Sequence, residues 1–138
     1  MNIALYDEGS DEALNIAEVA GYLAQKLKGA KTELRGNPFA RNISQEQIAN
    51  YARRIAQAKI QEISKTPPAQ EPLPAEIEYE RRRILGKTRA FGIPYDGFKL
   101  QRLFSELIPK EEFDSEFVHI IFTNRLFATW DEGDKRYH

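Results

Sequence analysis

The first 34 residues carry the pattern that most constrains the fold of this chain. Asn2 to Tyr6 is typical of a short buried strand, and Ala30 to Leu34 of a second one. Between them, Asp11 to Lys28 has apolar residues at helical spacing, and Gly29 supplies a stop signal. The apolar positions are Ile16, Val19, Ala20, Leu23 and Leu27. The sequence therefore predicts a parallel β-α-β unit with a right-handed crossover, in which Ser10 or Asp11 is the helix N-cap.

The middle of the chain predicts a second helix followed by a linker. Ser44 and Gln47 match a capping box, and the residues after them predict a helix as far as Ile63. Its expected buried stripe is Ile48, Ala52, Ile55, Ala56, Ile60 and Ile63. Residues 65–74 hold four of the seven prolines, which excludes a helix interior or a central strand. We interpret this stretch as an extended, Pro-rich linker, with a ligand for an SH3-type domain as the alternative.

The second half of the chain predicts two further helices. A strongly charged helix spans Ala75 to Leu85, and Asp96 is the expected cap of a helix from Gly97 to Ile108. The residues of the latter helix that we expect to face inward are Phe98, Leu100, Leu103, Phe104 and Leu107. Pro109 ends this helix.

Two strands and a turn are predicted at the C-terminus. Val118 to Thr123 is typical of a strand largely buried on both faces, and Leu126 to Trp130 of a second strand. The acidic turn Asp131 to Asp134 then returns the chain into Lys135 to His138. The whole pattern predicts the α/β class: a small mixed sheet with an N-terminal β-α-β unit, packing helices and a C-terminal β-hairpin, in a single domain of residues 1–138.

Composition narrows the functional classes. Twenty basic and 21 acidic residues give a net charge of -1, so no overall field attracts nucleic acid or an anionic membrane. The absence of cysteine excludes disulfides and thiolate chemistry, and agrees with a reducing compartment. Asp7 and Glu8 follow too early for a signal peptide, and no apolar run approaches about 18 residues. We therefore expect a cytoplasmic protein that does not enter a membrane.

Carboxylates gather after the first predicted strand, at Asp7, Glu8, Asp11 and Glu12. Parallel α/β sheets usually place ligands at the carboxyl ends of their strands, and carboxylate oxygens bind Mg²⁺ or Ca²⁺. The same residue types are common before a helix and within its first turn. A cation site and a solvated helix cap are therefore both open interpretations.

His119 and His138 are the two histidines of the chain. A zinc site needs three or four ligands, so carboxylates such as Asp131 or Glu132 would have to complete it. The sequence contains no His-Glu-x-x-His helix. The alternative is that His119 is a hydrogen-bonded histidine on a strand face.

The densest positive group of the chain is Arg81, Arg82, Arg83, Lys87 and Arg89. Tyr79 and Phe91 flank it, which would suit phosphate contacts and base stacking. The same helix carries Glu76, Glu78 and Glu80, which can pair with these cations along the helix. The group predicts either a nucleic-acid or anion contact or a solvated helix with internal ion pairs.

Two segments resemble a known family. HIIFTNRLFATWDEGDKRYH, which starts at His119, and the opening NIALYDEG resemble an archaeal family of uncharacterised proteins described as candidate metallopeptidases. The resemblance implies hydrolysis with a divalent metal such as zinc, and His138 as one of its ligands. It also implies a chain that continues beyond the position of His138.

Three functional hypotheses follow. The first is a module that binds itself or another protein through the C-terminal strands and the helix Ala75 to Leu85, which predicts a homo-oligomer or a protein partner. The second is a metal-dependent hydrolase, or its N-terminal part, with candidate ligands Asp7, Glu8, His119, Asp131 and His138. The third is nucleic-acid binding through the basic group.

Overall fold

The computed structural model describes residues 1–10, 12–41, 43–66, 71–87 and 92–138. The chain divides into two compact units. Unit 1 comprises Met1–Asn42 and Glu106–Asn124, and unit 2 comprises Ile43–Ser105 and Arg125–His138. The expectation of a single domain stays a prediction. Of the predicted Pro-rich linker, residues 67–70 lie outside the described residues.

The secondary structure of the described residues combines strands and helices. In order, the elements are β1 (Asn2–Glu8), α1 (Ile16–Lys26), β2 (Lys31–Gly36), α2 (Gln45–Gln57), α3 (Pro74–Ile84), β3 (Pro94–Asp96), α4 (Gly97–Ser105), β4 (Phe117–Thr123), β5 (Leu126–Ala128), β6 (Trp130–Asp131) and β7 (Arg136–Tyr137). Short 3-10 turns lie at Pro38–Ala40 and Lys110–Glu112. The mixed α/β class predicted from the sequence is confirmed.

The sheet of unit 1 has the strand order β2-β1-β4, and both pairings are parallel. Asn2 of β1 pairs with Lys31 on one side and with Phe117 on the other. Because α1 connects β1 to its parallel neighbour β2, the predicted β-α-β unit is confirmed.

The alternation of side chains along β1 gives this sheet two different faces. Ile3 and Leu5 form a core with Ala20 of α1. The residues packed against this core are Ile16, Leu23, Ala30, Ile120 and Phe122. Tyr6 and Glu8, which alternate with Leu5, belong to the opposite face and are also buried. One face is therefore an apolar core, and the other can bring polar groups together.

Helix α1 begins later than the sequence predicted. Asn15 is its N-cap, and the side chain of Asn15 accepts a hydrogen bond from the backbone N–H of Glu18 at 3.2 Å. Ser10 instead donates its backbone N–H to Asp7 Oδ1 at 2.8 Å, in the turn that follows β1. The Ser10 cap was therefore wrong, and Asp11 lies outside the described residues.

Unit 2 contains two small sheets. β3 and β5 pair in parallel, and β6 and β7 form an antiparallel hairpin, as predicted for the C-terminus. The predicted strand from Leu126 to Trp130 is divided between β5 and β6. Tyr137 anchors the hairpin, because its N–H donates to the Ile63 carbonyl and its hydroxyl donates to Asp96 Oδ2, both at 2.7 Å.

Two helix caps predicted in unit 2 are confirmed. Ser44 Oγ accepts from the N–H of Gln47 at 3.1 Å, and Gln47 Oε1 accepts from the N–H of Ser44 at 2.9 Å, which completes a capping box. Asp96 Oδ1 accepts from the N–H of Lys99 at 3.0 Å, at the start of α4.

Two predictions of burial in unit 2 were wrong. α2 ends at Gln57 because the following residues run beside β3, where the N–H of Ile60 donates to the Pro94 carbonyl at 2.8 Å. Ile63 is consequently exposed. Phe98 is also exposed, at 56%. It lies about 200° around α4 from Leu100, which is on the buried side of the helix.

Strand β4 is less buried than its sequence predicted. Its side chains are mostly half-buried, and Val118 is 40% exposed. The reason is its position at the end of the strand order, where β1 is its one partner among the strands described. The apolar sequence of β4 therefore belongs to an edge strand of this sheet, not to a central strand.

The helices of both units are short. The longest in the described ranges, α2, has 13 residues. None of the helices described combines the length and the apolar character that a membrane crossing requires.

The capping box gives a test of the fold of unit 2. Ser44→Ala removes the hydroxyl that accepts from the N–H of Gln47, so we expect the free energy of unfolding to fall by about 1 kcal/mol. Ser44→Asp keeps an acceptor and should stay close to the native protein. Urea denaturation measures both, with the exposed Ser64→Ala as a control. Equal stability of the Ser44→Ala and Ser64→Ala variants would contradict the role of the cap.

Candidate functional site around His119

The face of the unit 1 sheet opposite α1 carries four polar side chains that we call the His119 cluster. Tyr6 comes from β1, Arg35 from β2 and His119 from β4, while Glu112 belongs to the 3-10 turn before β4. Their side chains contact one another through hydrogen bonds and ion pairs. Three strands and one turn thus contribute one residue each.

A β-bulge places Arg35 in the His119 cluster. Leu34 pairs with Leu5 and Gly36 pairs with Tyr6, so Arg35 is the additional residue of β2 in this register. A bulge changes the direction of the extra side chain. Gly36 has a φ of 68°, a conformation that favours glycine, and it ends the strand directly after the bulge.

Arg35 is the centre of the hydrogen-bond network. Its Nη1 and Nη2 donate to Glu112 Oε2 and Oε1 at 2.5 and 2.9 Å, a bidentate pair. Its Nε donates to Glu33 Oε2 at 2.9 Å, and its Nη1 also donates to the Tyr6 hydroxyl at 3.0 Å. The side chain of Arg35 is only 7% exposed. The guanidinium is therefore held by two carboxylates and one hydroxyl.

His119 is the least satisfied member of the cluster. Its Nδ1 lies 3.2 Å from the Tyr6 hydroxyl, and its ring stacks on Phe117 with 5.8 Å between the centroids. The Tyr6 oxygen already accepts from Arg35, so its own hydrogen can go to Nδ1 in the tautomer that carries the imidazole proton on Nε2. Nε2 is buried without a hydrogen bond to any residue described, and its distance to Glu112 Oε2 is 3.6 Å.

The charges of Arg35 and Glu112 stabilise each other. The guanidinium of Arg35 holds the pKa of Glu112 below its ordinary value of 4.5, mainly through the hydrogen bonds between them. Glu112 in turn raises the pKa of Arg35. Both side chains are therefore ionised at neutral pH.

The two carboxylates predicted at the end of β1 have other partners. Asp7 Oδ1 accepts from the N–H of Ser10 at 2.8 Å. Glu8 is buried, and its Oε2 accepts from the hydroxyl of Thr123 at 2.6 Å. Asp7 therefore stabilises the turn after β1 and does not cap α1, whose N-cap is Asn15.

His138 and Asp131 lie in unit 2, in the C-terminal hairpin. His138 Nε2 is 2.9 Å from Asp134 Oδ2, an exposed pair. Asp131 Oδ1 accepts from the N–H groups of Asp134 and Gly133 at 2.9 and 2.7 Å, and these bonds lower the pKa of Asp131. The carboxylate of Asp131 therefore stabilises the turn.

The predicted basic group is divided by burial. Arg81 makes two hydrogen bonds to Glu78, at 2.8 and 2.7 Å, and the pKa of Arg81 is raised by them. Arg83 is buried and its Nη1 donates to the Tyr95 hydroxyl at 3.5 Å. Arg82 and Lys87 are exposed, and Arg89 lies outside the described residues. Of this group, Arg81 forms an ion pair along the helix, with Glu78. Contact of the group with nucleic acid or an anion stays a prediction.

Unit 2 has a buried charged network of its own, which the sequence did not reveal. The Tyr95 hydroxyl lies 2.9 Å from both oxygens of Glu80, and Arg125 Nη1 lies 3.2 Å from Glu80 Oε2. Glu80 and Arg125 are 2% and 3% exposed. Burial raises the pKa of Tyr95, so its hydroxyl stays protonated and donates.

Sequence reasoning found one of the four members of the His119 cluster. Tyr6 was assigned only to a strand, Arg35 lies just beyond the predicted end of a strand, and Glu112 lies in a segment with no motif. Arg35 comes directly after a predicted strand that already carries Lys31 and Glu33, so its charge does not stand out in the sequence. Nothing local pairs it with Glu112, which is 77 residues away.

Comparison with known families agrees with the resemblance of the two terminal segments. Residues 1–138 match the family described as "Probable metallopeptidase family (DUF6775)". The chain belongs to this family. No curated protein and no solved structure matches the chain.

The description of the family implies a divalent metal, so the His119 cluster can be tested as its site. His119 offers one nitrogen, but both oxygens of Glu112 already accept from Arg35. The adjacent guanidinium would also repel a cation. Across the described ranges, no group of three or more His, Asp or Glu side chains has the arrangement of a metal site. The four residues of the His119 cluster therefore do not fit a metal of the usual coordination.

The Arg35–Glu112 pair predicts a specific pH dependence. Because the folded-state pKa of Glu112 is lowered, its carboxylate stabilises the fold above its ordinary pKa of 4.5, and this contribution disappears as the pH falls through the folded-state value. We expect Glu112→Gln to lower the free energy of unfolding by about 1.5–3 kcal/mol at pH 7. The difference from the native protein should shrink below pH 4.5. Urea denaturation across this pH range measures it.

Glu111→Gln is the matched control, since Glu111 is an exposed neighbour in the same turn. It should change stability little at any pH. A Glu112→Gln effect that stays constant down to pH 3 would contradict the assigned pairing.

The misfit to a metal predicts the result of a binding experiment. We expect residues 1–138, purified without a metal-binding tag and mixed with Zn²⁺, to retain no stoichiometric metal in native mass spectrometry. His119→Ala and His138→Ala should leave the spectrum unchanged. One zinc per chain that disappears in either variant would contradict this conclusion.

Proposed function

We propose that this member of the metallopeptidase family binds polypeptides. In this proposal an extended peptide binds along β4 as an added strand. The supporting observation is the position of β4 at the end of the order β2-β1-β4. No strand in the described part of the chain pairs with its second edge. The backbone groups along such an edge can pair with an extended chain.

The two edges of the unit 1 sheet differ in charge. β2 carries Lys31, Glu33 and Arg35, and charges of this kind discourage pairing with a further strand. β4 has the sequence FVHIIFT over seven residues, with no proline and no carboxylate, lysine or arginine. The β4 edge therefore lacks the features that protect an edge strand from pairing.

An extended polypeptide is the occupant that family membership favours, because a peptidase acts on polypeptide chains. A second copy of this chain is the other candidate for binding at the β4 edge, because it could pair through the same backbone hydrogen bonds. Exposed apolar side chains of β5 in unit 2, Leu126 and Phe127, support a general role in protein contacts, as expected for the C-terminal strands.

Metal-dependent hydrolysis is the second candidate function, and family membership is the observation that favours it. It needs ligands beyond those that the His119 cluster supplies. The zinc experiment described above distinguishes it from peptide binding without a metal.

The proposal predicts that a charge on the β4 edge prevents binding. Val118 is 40% exposed, so Val118→Lys adds a charge with little loss of packing. We expect it to weaken binding of a fluorescent peptide of alternating Val and Thr, matched to the seven residues of β4, by at least tenfold in fluorescence anisotropy. The same peptide, N-methylated at every residue, should also bind at least tenfold more weakly, because it lacks the backbone donors.

Leu34→Lys is the matched control, because Leu34 is an exposed apolar residue on the opposite edge strand. It should bind the peptide like the native protein. Equal binding of the methylated peptide, or equal loss in both lysine variants, would overturn the proposal. A dimer in native mass spectrometry that Val118→Lys dissociates, without any peptide binding, would assign the edge to a second copy instead.

A further inference from the structure

Unit 2 contains a cavity of about 200 Å³ that the proposed function does not use. It lies between α2 and α3, beside the segment that leads into β3. Ala56, Ala75 and Ile93 supply apolar walls, together with the ring of Tyr79. Its lining combines partly exposed residues with buried ones. We call the end lined by Lys59 and Glu76 the mouth, and the end lined by the buried Glu80 and Tyr95 the floor.

Small side chains create this space. Ala56 lies on α2 and Ala75 on the first turn of α3, two helices that pack against each other. A larger residue at either position would fill the gap between the helices.

The floor of the cavity is polar but closed to a charged ligand. Glu80 and Tyr95 lie there, and the carboxylate of Glu80 already pairs with the Tyr95 hydroxyl and with Arg125. All three residues are almost fully buried. A ligand charge at the floor would have to break this pairing.

The mouth of the cavity presents one positive and one negative group. Lys59 Nζ lies 3.3 Å from Glu76 Oε1, and the two side chains are 33% and 29% exposed. A partly exposed pair of this kind contributes little to stability, so each charge can take another partner.

Both charged residues have fixed backbones. Lys59 forms an antiparallel bridge with Tyr95. Glu76 is held at the N-terminus of α3, where its Oε2 accepts from the N–H of Leu73 at 2.9 Å. This hydrogen bond is the main reason that the pKa of Glu76 is lowered, so the carboxylate is ionised at neutral pH.

We propose that this cavity binds a free amino acid with an apolar side chain. The ammonium group pairs with Glu76, the carboxylate pairs with Lys59, and the side chain enters the cavity. In an α-amino acid the two charges are attached to one carbon, so they lie about as close together as Lys59 Nζ and Glu76 Oε1. The volume is below the roughly 300–1,000 Å³ of pockets for drug-sized ligands, which favours a ligand the size of one residue.

The proposal is independent of the β4 edge, because it depends only on contacts within unit 2. Isothermal titration calorimetry with L-leucine and L-phenylalanine tests it directly. We expect both to bind, and we expect N-acetyl-L-leucine and L-leucinamide to bind at least tenfold more weakly, since each lacks one of the two charges. Equal binding of either derivative would overturn the zwitterion assignment.

Variants of the cavity and its mouth test the location. Ala75→Leu fills the cavity from an exposed position on α3, and should weaken binding of L-leucine at least tenfold. Ala49→Leu, at an exposed position of α2 that does not line the cavity, should bind like the native protein. Unchanged binding in Ala75→Leu would place the site elsewhere.

The charge at the mouth can be tested with a second matched pair. Lys59→Met removes the partner of the ligand carboxylate and should weaken binding of L-leucine at least tenfold. Lys65→Met is the control, because Lys65 pairs with Glu62 on the surface, away from the cavity. The absence of binding of both amino acids to the native protein overturns the proposal, whatever the result for the β4 edge.

Discussion

Unit 1 depends on the parallel pairing of β1 with β4. Glu8 and Thr123 join the two strands through a 2.6 Å hydrogen bond, and they are 115 residues apart in sequence. A tight turn cannot connect parallel strands, and here the connection includes Ile43–Ser105 of unit 2. Loop-closure entropy rises only with the logarithm of loop length, so the long connection is tolerated. In return, β4 adds Ile120 to the apolar core and His119 to the polar face.

Local signals predicted most of the fold. The β-α-β unit, the capping box at Ser44 and the Asp96 cap each depend on residues close together in sequence, and each is confirmed. The errors have local causes too. Asn15, not Ser10, caps α1. Phe98 was predicted to be buried because it is apolar, but its angular position on α4 places it on the exposed side of the helix. Element type was therefore more predictable than element boundaries.

The candidate sites were less predictable because they depend on contacts between distant residues. Glu112 and Arg35 are 77 residues apart, and Arg35 reaches Glu112 only because a bulge adds one residue to β2. His119 was a candidate site residue only because it is a histidine. Its place on a strand was predicted, but the residues that contact it were not. Similarly, nothing in the sequence distinguishes Glu80, which is buried against Arg125, from the exposed acidic residues of the same helix.

Burial decides which charges of this protein can recognise another molecule. A ligand that took Glu80 from Arg125 would break a buried ion pair, at a cost of about 3–5 kcal/mol. Both oxygens of Glu112 are likewise already bound by Arg35. Glu76 is four residues before Glu80 on α3, but it lies at a half-exposed mouth where its ion pair with Lys59 is weak. These two networks therefore stabilise the units, whereas our proposals give recognition to partly exposed groups: the charges at the cavity mouth and the backbone of the β4 edge. Glu76 and Glu80 have the same side chain and are one helical turn apart, so their different roles come from packing alone.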